Sequence, residues 1–259
     1  MKEFKEFKDF KSFDEALEYA NRYRVDINNY KPGILNNPDF DSVVNQTYSI
    51  IKKYHSDCTT LLEKCTKNTF KILYNQGGGN LYRGYYCPSP IEDIVVSNCK
   101  RGKLYSTVPR VYAYKFHFNS DNQLISAFLH DENVAIDTFE YIFYLPDACI
   151  GLQFSAYGYI NHIAISKYQD SKIIQFNLMN LSWQNDDVFS ILSIHTENYQ
   201  YKDGKLKYTE EKEFYSSIPV IIKKEYEFFH DDNGYLNSYK MIDGQNHVYQ
   251  QKIKIKRKI

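Results

Sequence analysis

Five short turns constrain the chain beyond residue 110: Asp121-Asn122, Asp170-Ser171, Asp203-Gly204, Asn233-Gly234 and Asp243-Gly244. Each pairs residues that tolerate positive φ, as tight β-hairpins demand. Around them a loose unit recurs, from Phe118 to Leu124, Tyr168 to Ile173, Tyr201 to Leu206 and Phe229 to Leu236. It consists of an aromatic, a turn rich in Asp or Asn, and a Leu or Ile on the returning strand. Tyr112, Tyr114, Phe116 and Phe118 alternate with Ala113, Lys115 and His117, the period of a half-buried strand. The units are irregularly spaced, unlike a solenoid or propeller. An antiparallel meander of eight to ten strands is expected.

Before Gly77-Gly78-Gly79 the period is helical. Ser12 with Glu15 forms a capping box, so a helix is expected from about Phe13, with Phe13, Leu17 and Ala20 on one face. Phe4, Phe7 and Phe10 form an apolar stripe ahead of it. Beyond the breakers Lys31-Pro32-Gly33 and Asn36-Asn37-Pro38, a longer, interrupted helix is expected from about Asp41 to Leu73. Ile253 and Ile255 alternate with Lys254 and Lys256 at the end of the chain, as in a terminal strand whose Lys face blocks further pairing.

Charge and cysteine content narrow the function classes. The 32 Lys and Arg balance the 32 Asp and Glu, without the basic surplus of a nucleic-acid binder. The N-terminus interleaves Phe with both charge signs, unlike a signal peptide, and apolar runs such as Ser217 to Ile222 are too short to span a bilayer as a helix. Five Cys without a CxxC pair do not form a disulfide framework. A cytoplasmic protein with no membrane or nucleic-acid partner is expected. The 25 Tyr and 17 Phe suit strands, protein interfaces, or simply a genome biased toward such codons.

The strong nucleotide, metalloprotease and hydrolase motifs are absent. His55, Cys58 and Cys65 share a helical face but lack further ligands at zinc spacing, so no metal and no cofactor are expected. The triple glycine follows a helix and precedes a strand, the inverse of a phosphate cradle.

Arg83 after the glycines, Ser106-Thr107, and Glu140 opening EYIFYLP resemble the Arg-Ser-Glu pattern of ADP-ribosyltransferases. The resemblance implies that Arg83 holds an NAD phosphate, Ser106 braces the nicotinamide pocket and Glu140 stabilises an oxocarbenium-like ribose. The pattern departs from that family at Val108 and Thr138. The units YQYKDGKLKY and EYEFFHDDNGYL are similar to the YD-type hairpins of bacterial polymorphic toxins, and more so to the hairpin meanders of the immunity proteins encoded beside them. That resemblance covers Arg110 to about Asp243 and implies a small β-rich protein that binds another protein.

The expected fold is α+β: a helical segment over 1–76, packed on a large antiparallel meander over 80–259 that curls or splits, together one compact unit. The leading function is a non-catalytic protein-binding module, an immunity-type protein that occludes a toxin by surface burial. The alternative is the NAD-dependent enzyme. Candidate binding residues are Tyr157, Tyr159, Trp183, Tyr199 and Tyr201, with Trp183 in a turn-rich stretch.

Overall fold

A computed structural model describes residues 25–33, 35, 37–77, 83–96, 100–130, 137–185 and 188–253. Helix α1 (Pro38–Tyr54) starts where its local chemistry directs. Asn37 accepts the amide of Asp39 at 3.0 Å, and Pro38 pre-sets φ for the first turn. Phe40, Val43, Val44, Thr47, Ile50 and Ile51 make its buried stripe. Helix α2 (Cys58–Asn68) buries Leu61 and Cys65. The helix expected to reach Leu73 therefore ends at Asn68. Thr69 is extended, and Lys71–Gln76 is a strand, β2. The helix expected from Phe13, the Phe4-Phe7-Phe10 stripe and residues 254–259 lie outside the described residues.

Strand β1 (Val25–Asp26) precedes the helices. After β2 come β3 (Lys103–Tyr105), β4 (Tyr114–Phe118), β5 (Leu124–Leu129), β6 (Thr138–Tyr144), β7 (Ala148–Phe154) and β8 (Ile160–Gln169). The long strands follow: β9 (Lys172–Asn185), β10 (Val188–Lys202), β11 (Lys205–Tyr215) and β12 (Ile218–His230), then β13 (Leu236–Asp243) and β14 (Val248–Lys252). Together they form one 14-stranded antiparallel sheet, ordered β14 back to β4 and then β2 and β3, with β1 paired to β10. Pairing is unbroken along this path, so the sheet does not split, and its end strands do not pair to close it. The strands beyond the expected eight to ten include β1 and β2, from the part of the sequence read as helical.

The recurrent unit is a bulged hairpin. Phe118 pairs with Leu124, Tyr168 with Ile173 and Tyr201 with Leu206, each beside a register shift. In the fourth, His230 pairs with Leu236, and the shift falls after Phe229. An extra residue at that point adds local twist.

Alternating side chains divide the core between the two faces of the sheet. Ile163, Ile165, Met179, Leu181, Ile194 and Phe214 join the buried residues of α1 and α2 in one cluster. Residues of opposite parity on the same strands, Ala164, Phe176 and Leu178, join Tyr199, Tyr226 and Phe228 in a second. Ile91 and Ile94 cover that second face from the loop between β2 and β3, where Glu92–Val96 form a π-helical turn. Among the described residues, no helix is long and apolar enough to cross a membrane.

Candidate functional site

The second face carries a polar cluster at the middle of the long strands. His195 and Glu197 on β10 sit opposite Glu213 and Glu211 on β11, and Glu211 sits opposite Lys224 on β12. Each member is two residues from its strand neighbour, so all point to one side. His195 Nε2 hydrogen-bonds the Glu197 carboxylate. Its Nδ1 faces Oε1 of Glu213 at 3.3 Å and Oε1 of Glu211 at 3.7 Å. The outer oxygens of both glutamates are held from behind. Tyr226 donates to Glu211 Oε2 at 2.6 Å, and Lys224 donates to Glu213 Oε2 at 2.9 Å. Tyr215 also donates to Glu213 Oε1 at 3.2 Å. From the covering loop, Ser89 Oγ reaches both oxygens of Glu197 at 2.7 and 2.8 Å and accepts the Glu92 amide.

Glu197 is 0 % and Glu211 4 % exposed, although directly opposed like charges destabilise a sheet. Cations compensate. Burial opposes charge on His195, but the charge of Glu197 and the hydrogen bonds the ring donates to Glu197 and Glu213 hold the imidazole well above its usual range. Burial also opposes charge on Glu213, yet hydrogen bonds from His195 and Lys224 bring it down to about 2. Complete burial lifts Glu197 above the ordinary carboxylate range, with His195 and Ser89 offsetting part of the effect. Lys224, disfavoured by burial, is raised by Glu211 and Glu213. A cavity of about 330 Å³ opens onto the cluster, lined also by Ile91, Glu92, Asn180 and Ser193. Ionisable groups perturbed by burial and by one another beside a cavity make this cluster the candidate site.

The residues singled out in the sequence fall elsewhere. Tyr157 is 87 % exposed on the turn between β7 and β8. Tyr159 stacks on Trp183 at 5.2 Å between centroids. Trp183 lies in strand β9 rather than in a turn-rich stretch, is half-buried against the helix-side core and donates its indole N–H to the Ile160 carbonyl. Tyr199 is buried and Tyr201 half-buried, both in the second cluster. Of the four tyrosines and one tryptophan, Trp183 packs on one core and Tyr199 and Tyr201 on the other, while Tyr157 is exposed.

Arg83 and Glu140 do meet, as a buried bidentate pair at 2.7 and 2.8 Å, whereas Ser106 stands in an exposed turn. An NAD site made from these three would require that pair to open. His55, Cys58 and Cys65 do not converge. Among the described residues, the three potential ligands that do are His195, Glu211 and Glu213, which place one ligand atom each within 4.8 Å of the others. In the sequence their only signal is the same-face spacing of His195 with Glu197 and of Glu211 with Glu213 on two strands of one hairpin.

Neither models of protein families nor curated protein sequences give a match to this chain.

Proposed function

We propose that the protein binds a small cation in the cavity over His195, Glu211 and Glu213. The carrying observation is the convergence of three carboxylates on one face of the β10–β11 pair: Glu211 and Glu213 line that cavity, and Glu197 is buried behind His195. They outnumber the cationic partners His195 and Lys224. A positive ligand completes the charge balance, and an anion worsens it. The test is a thermal-shift series with putrescine, agmatine and divalent metal ions as probes and glutarate as the anionic control. At least one cation is expected to raise the melting temperature while glutarate does not. The isosteric double variant Glu211→Gln/Glu213→Gln is expected to lose that response. No cation response in the wild type, or an equal one in the double variant, would overturn cation binding here.

A second observation favours protein binding, the role expected of an immunity-type protein that occludes a toxin. Tyr157 stands at a separate cavity of about 620 Å³, walled by Leu62, Tyr112, Phe128 and Phe139. Its rim carries Lys115 and His130, both on Asp137. The occupant that suits it is an apolar side chain of a protein partner, flanked by an acidic residue that meets Lys115. Once a stoichiometric partner is identified, Tyr157→Ala should weaken its Kd at least about tenfold without lowering the melting temperature, the behaviour of an exposed interface anchor. A partner indifferent to Tyr157→Ala would place the interface elsewhere.

A further inference from the structure

Resting on the cation reading above, we infer that His195 Nδ1, Glu211 Oε1 and Glu213 Oε1 form a site for one divalent transition-metal ion. The three atoms come from adjacent strands and face one another, and the far end of each ligand is already engaged. His195 Nε2 is on Glu197, Glu211 Oε2 is on Tyr226 and Lys224, and Glu213 Oε2 is on Lys224. Binding the ion displaces the Nδ1 proton of the imidazolium to solvent, and the Glu197 carboxylate behind the ring keeps the remaining proton on Nε2, so that Nδ1 offers its lone pair to the ion. Glu197 is itself fixed by Ser89, which the π-helical segment brings in from outside the sheet.

Charge selects the valence. With a +2 ion in place and the His195 proton released, the three carboxylates of the two strands and Lys224 leave the cluster neutral, which favours a divalent ion over a monovalent or trivalent one in so buried a setting. Ligand type selects the element. One imidazole nitrogen with carboxylate oxygens, and no sulfur or backbone carbonyl, suits Zn²⁺, Mn²⁺ or Fe²⁺ better than Ca²⁺ or Mg²⁺. Three protein ligands under a 330 Å³ cavity leave coordination positions for water or a substrate, unlike a closed structural site.

The test uses the full chain, stripped with a chelator and titrated with Zn²⁺ by calorimetry, and with Co²⁺ followed by visible absorption. One equivalent of Zn²⁺ should bind, and Co²⁺ should develop a visible band. Glu197→Gln, which removes only the carboxylate behind the ring, should weaken Zn²⁺ about 10–100-fold. Glu213→Gln should weaken it further and change the Co²⁺ band, with circular dichroism confirming that both variants fold. His247→Ala should leave uptake unchanged, although His247 is paired with Asp243 on the exposed surface. Loss of binding in His247→Ala, wild-type binding in Glu213→Gln, or equal affinity for Mg²⁺ would overturn the assignment. If putrescine or agmatine binds but Zn²⁺ does not, the metal assignment fails and cation binding stands. If no cation binds, both fail.

Discussion

Arg83 donates through Nε and Nη2 to the two oxygens of Glu140, and both side chains are nearly excluded from water, at 6 % and 2 % exposure. Such a pair is hard to interrupt from one side, because the remaining charge is left buried without its partner. The neighbouring strand is shaped around it. A Cβ at Gly151 would lie 2.1 Å from Arg83 Nη2 and 2.1 Å from Glu140 Oε1, so that position accepts no side chain while the pair is formed. Arg83→Met should therefore lower unfolding free energy by about 3–5 kcal/mol, and adding Glu140→Leu should recover most of the loss, because the second change removes the stranded carboxylate. Urea titration of both variants checks this. A double variant as unstable as the single would show that the pair's charge is not what the fold depends on. At this scale the sequence was partly legible. The ADP-ribosyltransferase resemblance singled out Arg83 and Glu140 together, but nothing local could show that each would become the other's partner.

At the level of elements, the end of α2 is tied to β4 by the His117 imidazole and, one residue on, by the Phe70 amide, which donates to the Phe118 carbonyl at 2.8 Å. Thr69 Oγ1 donates to the Cys65 carbonyl at 2.7 Å and lies 2.9 Å from His117 Nδ1. With its proton committed to Cys65, the hydroxyl accepts from Nδ1–H, which leaves Nε2 the unprotonated nitrogen, buried and without a partner. Burial, with a smaller contribution from Lys115, pushes His117 down to about 4 from an ordinary value of 6.5. The unfolded chain then binds more protons than the folded one between those values. The stability contributed by neutral His117 is complete above about pH 6.5 and is lost as pH falls toward 4. His117→Gln should flatten that part of the stability–pH curve, measured by urea titration at steps from pH 7 to 4. An unchanged slope would assign it to another group. The elements themselves were legible where chemistry is local: the Asp-Gly and Asp-Ser turns and the alternation along β4, whereas Asn37-Pro38, read as a breaker ahead of a helix from about Asp41, is the cap and first residue of α1. The end of α2 was not, because Leu73 continues the helical spacing while β2 gains a pairing partner on each side, β3 and β4.

Across the whole molecule, an open sheet of this width must cover both faces, since α1 and α2 reach only one of them. The other is sealed by residues of opposite parity and by Ile91 and Ile94, which no periodicity in the sequence connects to β9 or β12. The edge strand β14 stays exposed throughout its five residues. What the sequence determined alone was the architecture of the repeat: turn chemistry and alternating side chains specify antiparallel hairpins, because both act within a few residues. What only the tertiary structure decided was which side chains meet. Counted back from the Asp203-Gly204 turn, where Lys202 pairs with Lys205, an unbroken register would set His195 against Lys212. The bulge between Gln200 and Tyr201 moves the pairing by one residue, so that His195 meets Glu213 and Glu197 meets Glu211. A one-residue shift exchanges the faces of a strand. Whether the bulge forms depends on twist and packing across the whole sheet, which is why the same-face spacing along each strand could not show which side chains meet, and the fold does.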